Sequence, residues 1–357
     1  MSSKLRKEKF EKINFAEKLI FSMLIIFLAG CSSKITGKSA WEAPHETAKM
    51  PQVYFCPKDD CGKALEDSIR LANSSVHCAM YDLRLKNVIS TLGAKSKSID
   101  VKLVMENLNH KQQVNGEGIR SNKNHKDRQL MHNKFCVIDG KVVATGSFNP
   151  TENDNFRNNN NFIVVYSTAL AKNYEDEFYE LWGGKFAGGS GVANPVLYIN
   201  DIKIENYFCP EDCSLEPGYS LAEDGGLHSI IHLIKNAKES IRVASFTFTN
   251  ERIADELAKA QSRGINVTIL TETKQKNVMG SQYERLKGFG LDIRLDGNKY
   301  NMHHKFMVID GKIIETGSPN FTLGGFEKND ENMLIIHDEG LASRYVEEFN
   351  VLYEEGK

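Results

Sequence analysis

The segment Met131-His132-Asn133-Lys134-Phe135-Cys136-Val137-Ile138-Asp139-Gly140, with Gly146-Ser147-Phe148-Asn149 just downstream, decides the fold because it occurs twice. The second copy reads Met302-His303-His304-Lys305-Phe306-Met307-Val308-Ile309-Asp310-Gly311, followed by Gly317-Ser318-Pro319-Asn320. Every shared position is displaced by the same 171 residues (303 − 132, 305 − 134, 310 − 139, 318 − 147, 320 − 149). An internal repeat of this length is a duplicated domain-sized unit.

Outward from each copy the same elements recur. Each repeat opens near a Tyr-Phe-Cys-Pro stretch, at Tyr54 and at Tyr207. An amphipathic helix follows (62–72; 227–237), then an apolar strand (75–81; 240–248), a second helix and a second strand (101–105; 267–271). Beyond the His-x-Lys strand come two more strands (142–145 and 162–165; 313–316 and 333–336) and a closing helix (170–181; 341–353). Strands alternating with helices predict an α/β fold. The expected architecture is two α-β-α lobes related by a pseudo-two-fold axis, each a mixed sheet flanked by helices. The boundaries read from composition are a leader over 1–30, a tether over 31–50, lobe one over 51–186, a Gly-rich linker over 187–203 and lobe two over 204–357.

Side chains two apart on a strand share a face. His132 with Lys134, and His303 with Lys305, can therefore each enter one pocket, whereas His304 faces away. Each lobe carries only half of a two-histidine site, so the site is expected where the lobes meet. One imidazole would attack phosphorus and the other would protonate the leaving group. Lys134, Lys305, Asn149 and Asn320, with Ser147 and Ser318 in support, would hold the phosphoryl oxygens. Asp139 and Asp310 stand in Asp-Gly pairs between apolar strands, the preferred type I′ hairpin turn, and are read as turn formers. Gly146 and Gly317 are read as points of close backbone approach. No acidic metal cluster and no cofactor motif is evident. His228 and His232, four apart on a helix, lack a third ligand and are read as surface residues.

The chain has 357 residues, a formal net charge of −2 and 41% hydrophobic residues, which suits a globular protein and argues against a strongly basic nucleic-acid binder. One stretch is locally basic: Lys111, Arg120, Lys123, His125, Lys126 and Arg128. It can attract phosphate, or it is simply a solvated loop. At the N-terminus a basic region precedes twelve apolar residues (19–30) that end Leu28-Ala29-Gly30-Cys31. The run is short for a membrane span and fits a secretory signal. It looks like a bacterial lipobox, with Cys31 the lipidated residue after cleavage; the alternative is an uncleaved signal anchor. The localisation expected is the bacterial cell envelope, lipid-anchored, at the outer membrane if the cell is Gram-negative. In an oxidising compartment the pairs Cys56–Cys61 and Cys209–Cys213 are candidate disulfides, with a four-thiolate zinc site as the alternative. Cys78 and Cys136, inside apolar strands, are read as plain core thiols.

The doubled pattern His-x-Lys-x4-Asp followed by Gly-Ser-x-Asn is similar to that of the phospholipase D superfamily, over nearly all of the chain beyond the leader. The resemblance implies metal-independent phosphodiester chemistry through a covalent phosphohistidine, one site being built from both lobes of a monomer. Members include phospholipases, cardiolipin-cleaving enzymes, phospholipid synthases and nucleases. Many members carry an acidic residue about 28 positions after each motif histidine, orienting its second nitrogen. Here that spacing leads from His303 to Glu331 but from His132 to Asn160. Taken within each repeat, the amide leaves His132 the neutral nucleophile and the carboxylate makes His303 the protonated acid. The substrate expected is a phospholipid headgroup phosphodiester at the anchoring membrane. The alternatives are an endonuclease acting on DNA or RNA, and a scaffold without activity.

Overall fold

The computed structural model describes residues 42–357, apart from 111–113, 115–116, 127–128 and 214–224. The leader, Cys31, and Lys111 and Arg128 of the basic stretch lie outside the described residues. In chain order the elements are β1 (His45–Glu46), β2 (Gln52–Cys56), α1 (Cys61–Arg70), β3 (Ser75–Met80), α2 (Lys86–Lys95), β4 (Asp100–Met105), β5 (Arg120–Lys123), β6 (Lys134–Ile138), β7 (Val142–Gly146), α3 (Glu152–Phe156), β8 (Asn160–Tyr166) and α4 (Thr168–Trp182). The second half continues with β9 (Val196–Ile199), β10 (Ile202–Cys209), α5 (Gly226–Asn236), β11 (Ser240–Ser245), α6 (Glu251–Ser262), β12 (Asn266–Thr271), α7 (Tyr283–Gly288), β13 (Asp292–Leu295), β14 (Lys305–Ile309), β15 (Ile313–Gly317), α8 (Leu323–Glu327), β16 (Glu331–His337) and α9 (Glu339–Glu355).

The first sheet runs β2-β8-β7-β6-β3-β4-β5, and the second runs β1-β9-β10-β16-β15-β14-β11-β12-β13. From β10 onward the second order is that of the first, strand for strand, so the sequence repeat is a repeat of topology. In each sheet the β3/β4/β5 and β11/β12/β13 neighbours are parallel and the motif strands are antiparallel. Strands β6 and β14 are buried along their whole length, which is why they read as continuous apolar runs rather than alternating ones. Among the described helices, six start on a side-chain cap: Asp60 for α1, Thr151 for α3, Ser167 for α4, Asn250 for α6, Thr322 for α8 and Asp338 for α9 each accept a first-turn N–H.

Three apolar clusters hold the layers together. Two are outer: α1 and α2 cover the first sheet, and α5, α6 and α7 cover the second. The third is shared. It joins Phe135, Val143 and Ile163 of the first sheet to Phe306, Ile314 and Leu334 of the second, through Tyr174 and Phe178 of α4 and Tyr345 and Phe349 of α9. Both closing helices thus pack into a common core, and Ala43–Lys357 forms one compact unit.

Three local features differ from the sequence reading. The linker stretch carries β9 and the start of β10, and the end of the tether pairs with it, β1 lying parallel to β9. Glu46 also caps α4, accepting from the hydroxyls of Ser167 and Thr168. Part of the basic stretch is an edge strand, β5, and Arg120 is ion-paired with Asp100. Cys78 and Cys136 are bonded to each other rather than being free thiols. They lie directly opposite in the antiparallel β3/β6 pair, 4.0 Å apart at Cα, a neighbourhood that a sequence separation of 58 conceals. Cys56–Cys61 and Cys209–Cys213 are bonded as well.

Candidate active site

His132 and His303 stand two residues ahead of Lys134 and Lys305, which open β6 and β14. How the half-sites join follows from the main chain. The His132 N–H donates to the Asp330 carbonyl at 2.9 Å, and the His303 N–H donates to the Asn159 carbonyl at 2.8 Å. Isolated parallel bridges, Met131 to Asp330 and Asn159 to Met302, align each histidine with the strand entering from the other lobe. The following side chain then meets the imidazole. Both carboxylate oxygens of Glu331 lie 2.8 Å from His132 Nδ1, and Asn160 Oδ1 lies 2.8 Å from His303 Nδ1.

The orienting pairs therefore cross between lobes, which overturns the within-repeat pairing drawn from the 28-residue spacing. The physical reason is sheet order. β7 separates β6 from β8 in the first sheet, and β15 separates β14 from β16 in the second. Two strand spacings, about 9–10 Å, are too far for a direct contact. The start of β8 or β16 instead abuts the other lobe.

Ser318 Oγ donates to Glu331 Oε2 at 2.5 Å, and Ser147 Oγ donates to Asn160 Oδ1 at 3.1 Å. Each hydroxyl also accepts a backbone N–H, from Asn332 and Asn161 respectively. These buried serines brace the orienting residues, in place of the phosphate-holding role read from sequence. Gly146 and Gly317 permit this close approach. A Cβ on either would stand 2.3 Å from the Asn161 carbonyl oxygen or 2.2 Å from that of Asn332.

Lys134 Nζ donates to the His132 carbonyl at 2.7 Å and lies 5.0 Å from the Tyr81 ring centre. Lys305 Nζ donates to the His303 carbonyl at 3.0 Å, reaches His303 Nε2 at 3.1 Å and lies 5.2 Å from the Phe246 ring centre. Tyr81 and Phe246 also meet the two imidazoles edge-on, each at 4.7 Å. Sequence reasoning passed over this aromatic pair; the available signal was an aromatic shortly after the β3-type strand in both repeats. It also missed Glu106 and Glu272, buried carboxylates that fix the residues before the histidines by accepting from the Met131 and Met302 N–H groups.

The electrostatics are lopsided. Burial pulls the His132 imidazole down to about 4, with Glu331 opposing and Lys134 adding to the fall. His303 is held well below its ordinary value by burial first, then by Lys305, Lys134, His132 and His304. Burial lowers the Lys134 ammonium to about 8 and holds Lys305 well below its ordinary value, with Lys134 adding to it. Burial would raise Glu331, but His132 and Lys134 outweigh it and hold the carboxylate below its ordinary range. Burial and mutual proximity thus favour the neutral forms of both imidazoles and both lysines.

Asn149 Nδ2 donates to Asp154 Oδ2 at 2.8 Å, while the buried Oδ1 atoms of Asn149 and Asn320 have no partner. Asp139 and Asp310 stand beyond the other ends of the motif strands. Asp139 with Gly140, and Asp310 with Gly311, have positive φ, the backbone of a type I′ turn. Their carboxylates collect the N–H groups of Asn73, Ser74 and Ser75, and of Lys238, Glu239 and Ser240. Burial opposes these bonds, yet they bring Asp139 down to about 2. His304 is fully buried behind its strand against Asn161 and Glu348, and His228 and His232 are exposed on α5. Among the described residues no group of three or more His, Cys, Asp or Glu is arranged to hold a metal, and no helix is long and apolar enough to cross a membrane.

Comparison with known proteins fits this geometry. A family model described as "Cardiolipin synthase, PLD-like domain" matches residues 65–182 and again 230–353. Mitochondrial cardiolipin hydrolase of Xenopus tropicalis is 33% identical over 132 residues, covering 37% of this chain and 63% of the relative, so the chain spans under two thirds of that protein's length. A phospholipase D of Rickettsia typhi (strain ATCC VR-144 / Wilmington) is 27% identical over 195 residues, covering 53% of this chain and 92% of that one. The crystal structure of phosphatidylserine synthase from Haemophilus influenzae Rd KW20 superposes with a TM-score of 0.65 at 13% identity, over 86% of this chain and 87% of that one, which shows a common fold. With both half-sites matched and more than half of its length covered, the chain belongs to the phospholipase D superfamily, through a duplicated cardiolipin synthase, PLD-like domain.

Proposed function

We propose that the protein is a phosphodiesterase that hydrolyses phospholipid headgroup esters through a phosphohistidine on His132. The observation that carries the reading is the crossed convergence of two buried His-Lys pairs on one pocket, each imidazole oriented by the opposite repeat. His132 Nε2 forms a bond to phosphorus while the bond from phosphorus to the headgroup oxygen breaks, and that oxygen takes a proton from His303. His303, now neutral, accepts a proton from water; the water oxygen attacks phosphorus and the N–P bond breaks. The crossed pairs support the same roles as the sequence reading, for a different reason. Attack places positive charge on the attacking imidazole, and a carboxylate on its Nδ1–H stabilises that charge, as in a serine-protease triad. The acid must release its proton, and an amide partner makes that easier.

Lys134 and Lys305, with the amides of Asn149 and Asn320, would clamp the phosphoryl oxygens. An arriving anion competes with His303 Nε2 for Lys305 and offsets the cations pressing on that ring. Two lysines in the clamp suit a reaction that runs without metal. Both half-sites lie in one chain, so a monomer suffices. The named activities of the cardiolipin hydrolase and phospholipase D relatives support a lipid substrate, as does a lipid anchor at Cys31 in the cell envelope.

The test is turnover in EDTA on cardiolipin or phosphatidylcholine vesicles, an aryl phosphodiester and single-stranded DNA. Release of phosphatidic acid or headgroup, abolished by His132→Ala and by His303→Ala, is expected. Cleavage of DNA alone would transfer the reading to a nuclease, and inactivity on all three would leave a scaffold. Acid-quenched protein should carry the phosphoryl adduct on His132; an adduct on His303 would reverse the roles.

A further inference from the structure

Asp154 has no equivalent in the other lobe. The repeat offset leads from it to Gly325, just as it leads from Asn160 to Glu331 (325 − 154 and 331 − 160 are both 171). Lobe two thus pairs a carboxylate at the orienting position with a glycine six residues earlier, and lobe one pairs an amide with a carboxylate. A side chain could not be added at Gly325, where a Cβ would stand 2.3 Å from the Asn320 carbonyl oxygen. Asp154 is 5% exposed, and its Oδ2 lies 3.8 Å from His303 Nδ1. It is rigidly held. Oδ2 accepts from the Asn149 N–H at 3.0 Å and from Asn149 Nδ2 at 2.8 Å, and Oδ1 accepts from Asn158 Nδ2 at 2.6 Å. The Asp154 N–H donates to Thr151, the cap of α3. Asn160 Nδ2 reaches back to the Asp154 carbonyl at 3.3 Å, so one short segment sets both neighbours of the ring.

We propose that Asp154 is the charge-balancing and positioning residue for His303, doing from six residues upstream what Glu331 does for His132 by direct contact. His303 has to carry a proton to serve as general acid. Its direct partner is a neutral amide, and Lys305, Lys134, His132 and His304 all oppose the proton. Asp154 is the anion beside its Nδ1. Each imidazole of the site then has one carboxylate, both buried: Glu331 from lobe two for His132, and Asp154 from lobe one for His303. The same carboxylate also orients Asn149. The proposal rests on the general-acid role of His303 but not on which phosphodiester is cleaved.

Two variants decide it. Asp154→Asn keeps the shape and removes the charge. It should lower kcat about 10- to 100-fold on an ester with an alkyl leaving group and move the alkaline limb of the pH–rate profile to lower pH. A nitrophenyl ester, whose leaving group needs no proton, should lose less than about threefold. The double variant Asp154→Gly with Asn160→Glu copies the arrangement of lobe two and should recover activity that Asp154→Asn lacks. Independently of turnover, the NMR titration midpoint of the His303 ring should fall by about one pH unit or more in Asp154→Asn. An unmoved His303 midpoint would overturn the proposal, as would equal losses on both esters with no recovery in the double variant. A wild-type chain idle on every ester would refute the functional reading instead, and the titration would still decide for Asp154.

Discussion

Replacing Glu331 by glutamine isolates the contribution of one buried charge to His132, the nucleophile proposed above. Glu331 has no solvent exposure; it receives the His132 Nδ1–H on both oxygens at 2.8 Å and the Ser318 hydroxyl at 2.5 Å. Glutamine fills the same volume and retains one acceptor oxygen, so packing changes little. What is lost is the charge in the hydrogen bond, and bonds to charged groups contribute about 1.5–3 kcal/mol against about 1 for neutral ones. The difference appears as cation builds on the ring during attack. At about 1.4 kcal/mol per tenfold in rate, the expected fall in kcat is roughly 3- to 30-fold, with KM unchanged because the ground-state clamp is untouched. The pH profile adds a direction. His132 is held up to about 4 by Glu331 against burial. Without the carboxylate it is harder to protonate, so the acid limb of kcat/KM moves to lower pH. Steady-state kinetics from pH 3.5 to 8, on the order of ten points, would read both effects. A variant with wild-type kcat and an unmoved acid limb would refute the triad-like role and leave Glu331 a structural residue.

Gly146→Ala and Gly317→Ala should each destabilise the fold by about 2–4 kcal/mol, since the new methyl meets a carbonyl oxygen that cannot move. Gly324→Ala, with nothing nearer than 3.7 Å, should stay within about 0.5 kcal/mol in the same urea titrations. Equal effects at all three glycines would discount the close-approach argument. A second expectation concerns Glu211, Asp212 and Asp330. Burial raises them to about 8, 6 and 7, and like charge adds: Asp212, Asp330 and Glu180 at Glu211, Glu180 at Asp212, and Glu331 and Glu106 at Asp330. A carboxyl raised in the folded state holds its proton there and loses it when the chain unfolds, so the stability it confers is complete below the ordinary carboxylate range, about 4, drains away as pH rises from there, and is gone above its folded value. The melting temperature should therefore fall from about pH 4 to about pH 8 and level off above that, and Glu211→Gln should flatten the decline. A parallel decline in wild type and variant would count against it.

Much of the site was legible in the chain because strand periodicity is local. A two-residue step places His132 with Lys134 and His303 with Lys305 on one face whatever surrounds them, and the Asp-Gly pairs dictate a hairpin through backbone sterics alone. The 171-residue offset carried the rest: two copies imply two equivalent sheets, and half a site in each implies a shared one. Contacts that depend on which strand abuts which were not legible. Cys78 faces Cys136 through sheet order, and Ser147 and Ser318 turn to the orienting residues through a close approach of backbones.

Taken alone, the sequence determined the repeated α/β unit, the candidate reacting side chains and the asymmetry of Asn160 against Glu331. Only the tertiary structure decided who orients whom. Within a sheet β7 and β15 hold each orienting residue two strands from its own histidine, while across the pseudo-two-fold the ends of β8 and β16 run beside the opposite one. A hydrogen bond reaches about 3 Å, so the short path between lobes prevails over the longer one within a lobe.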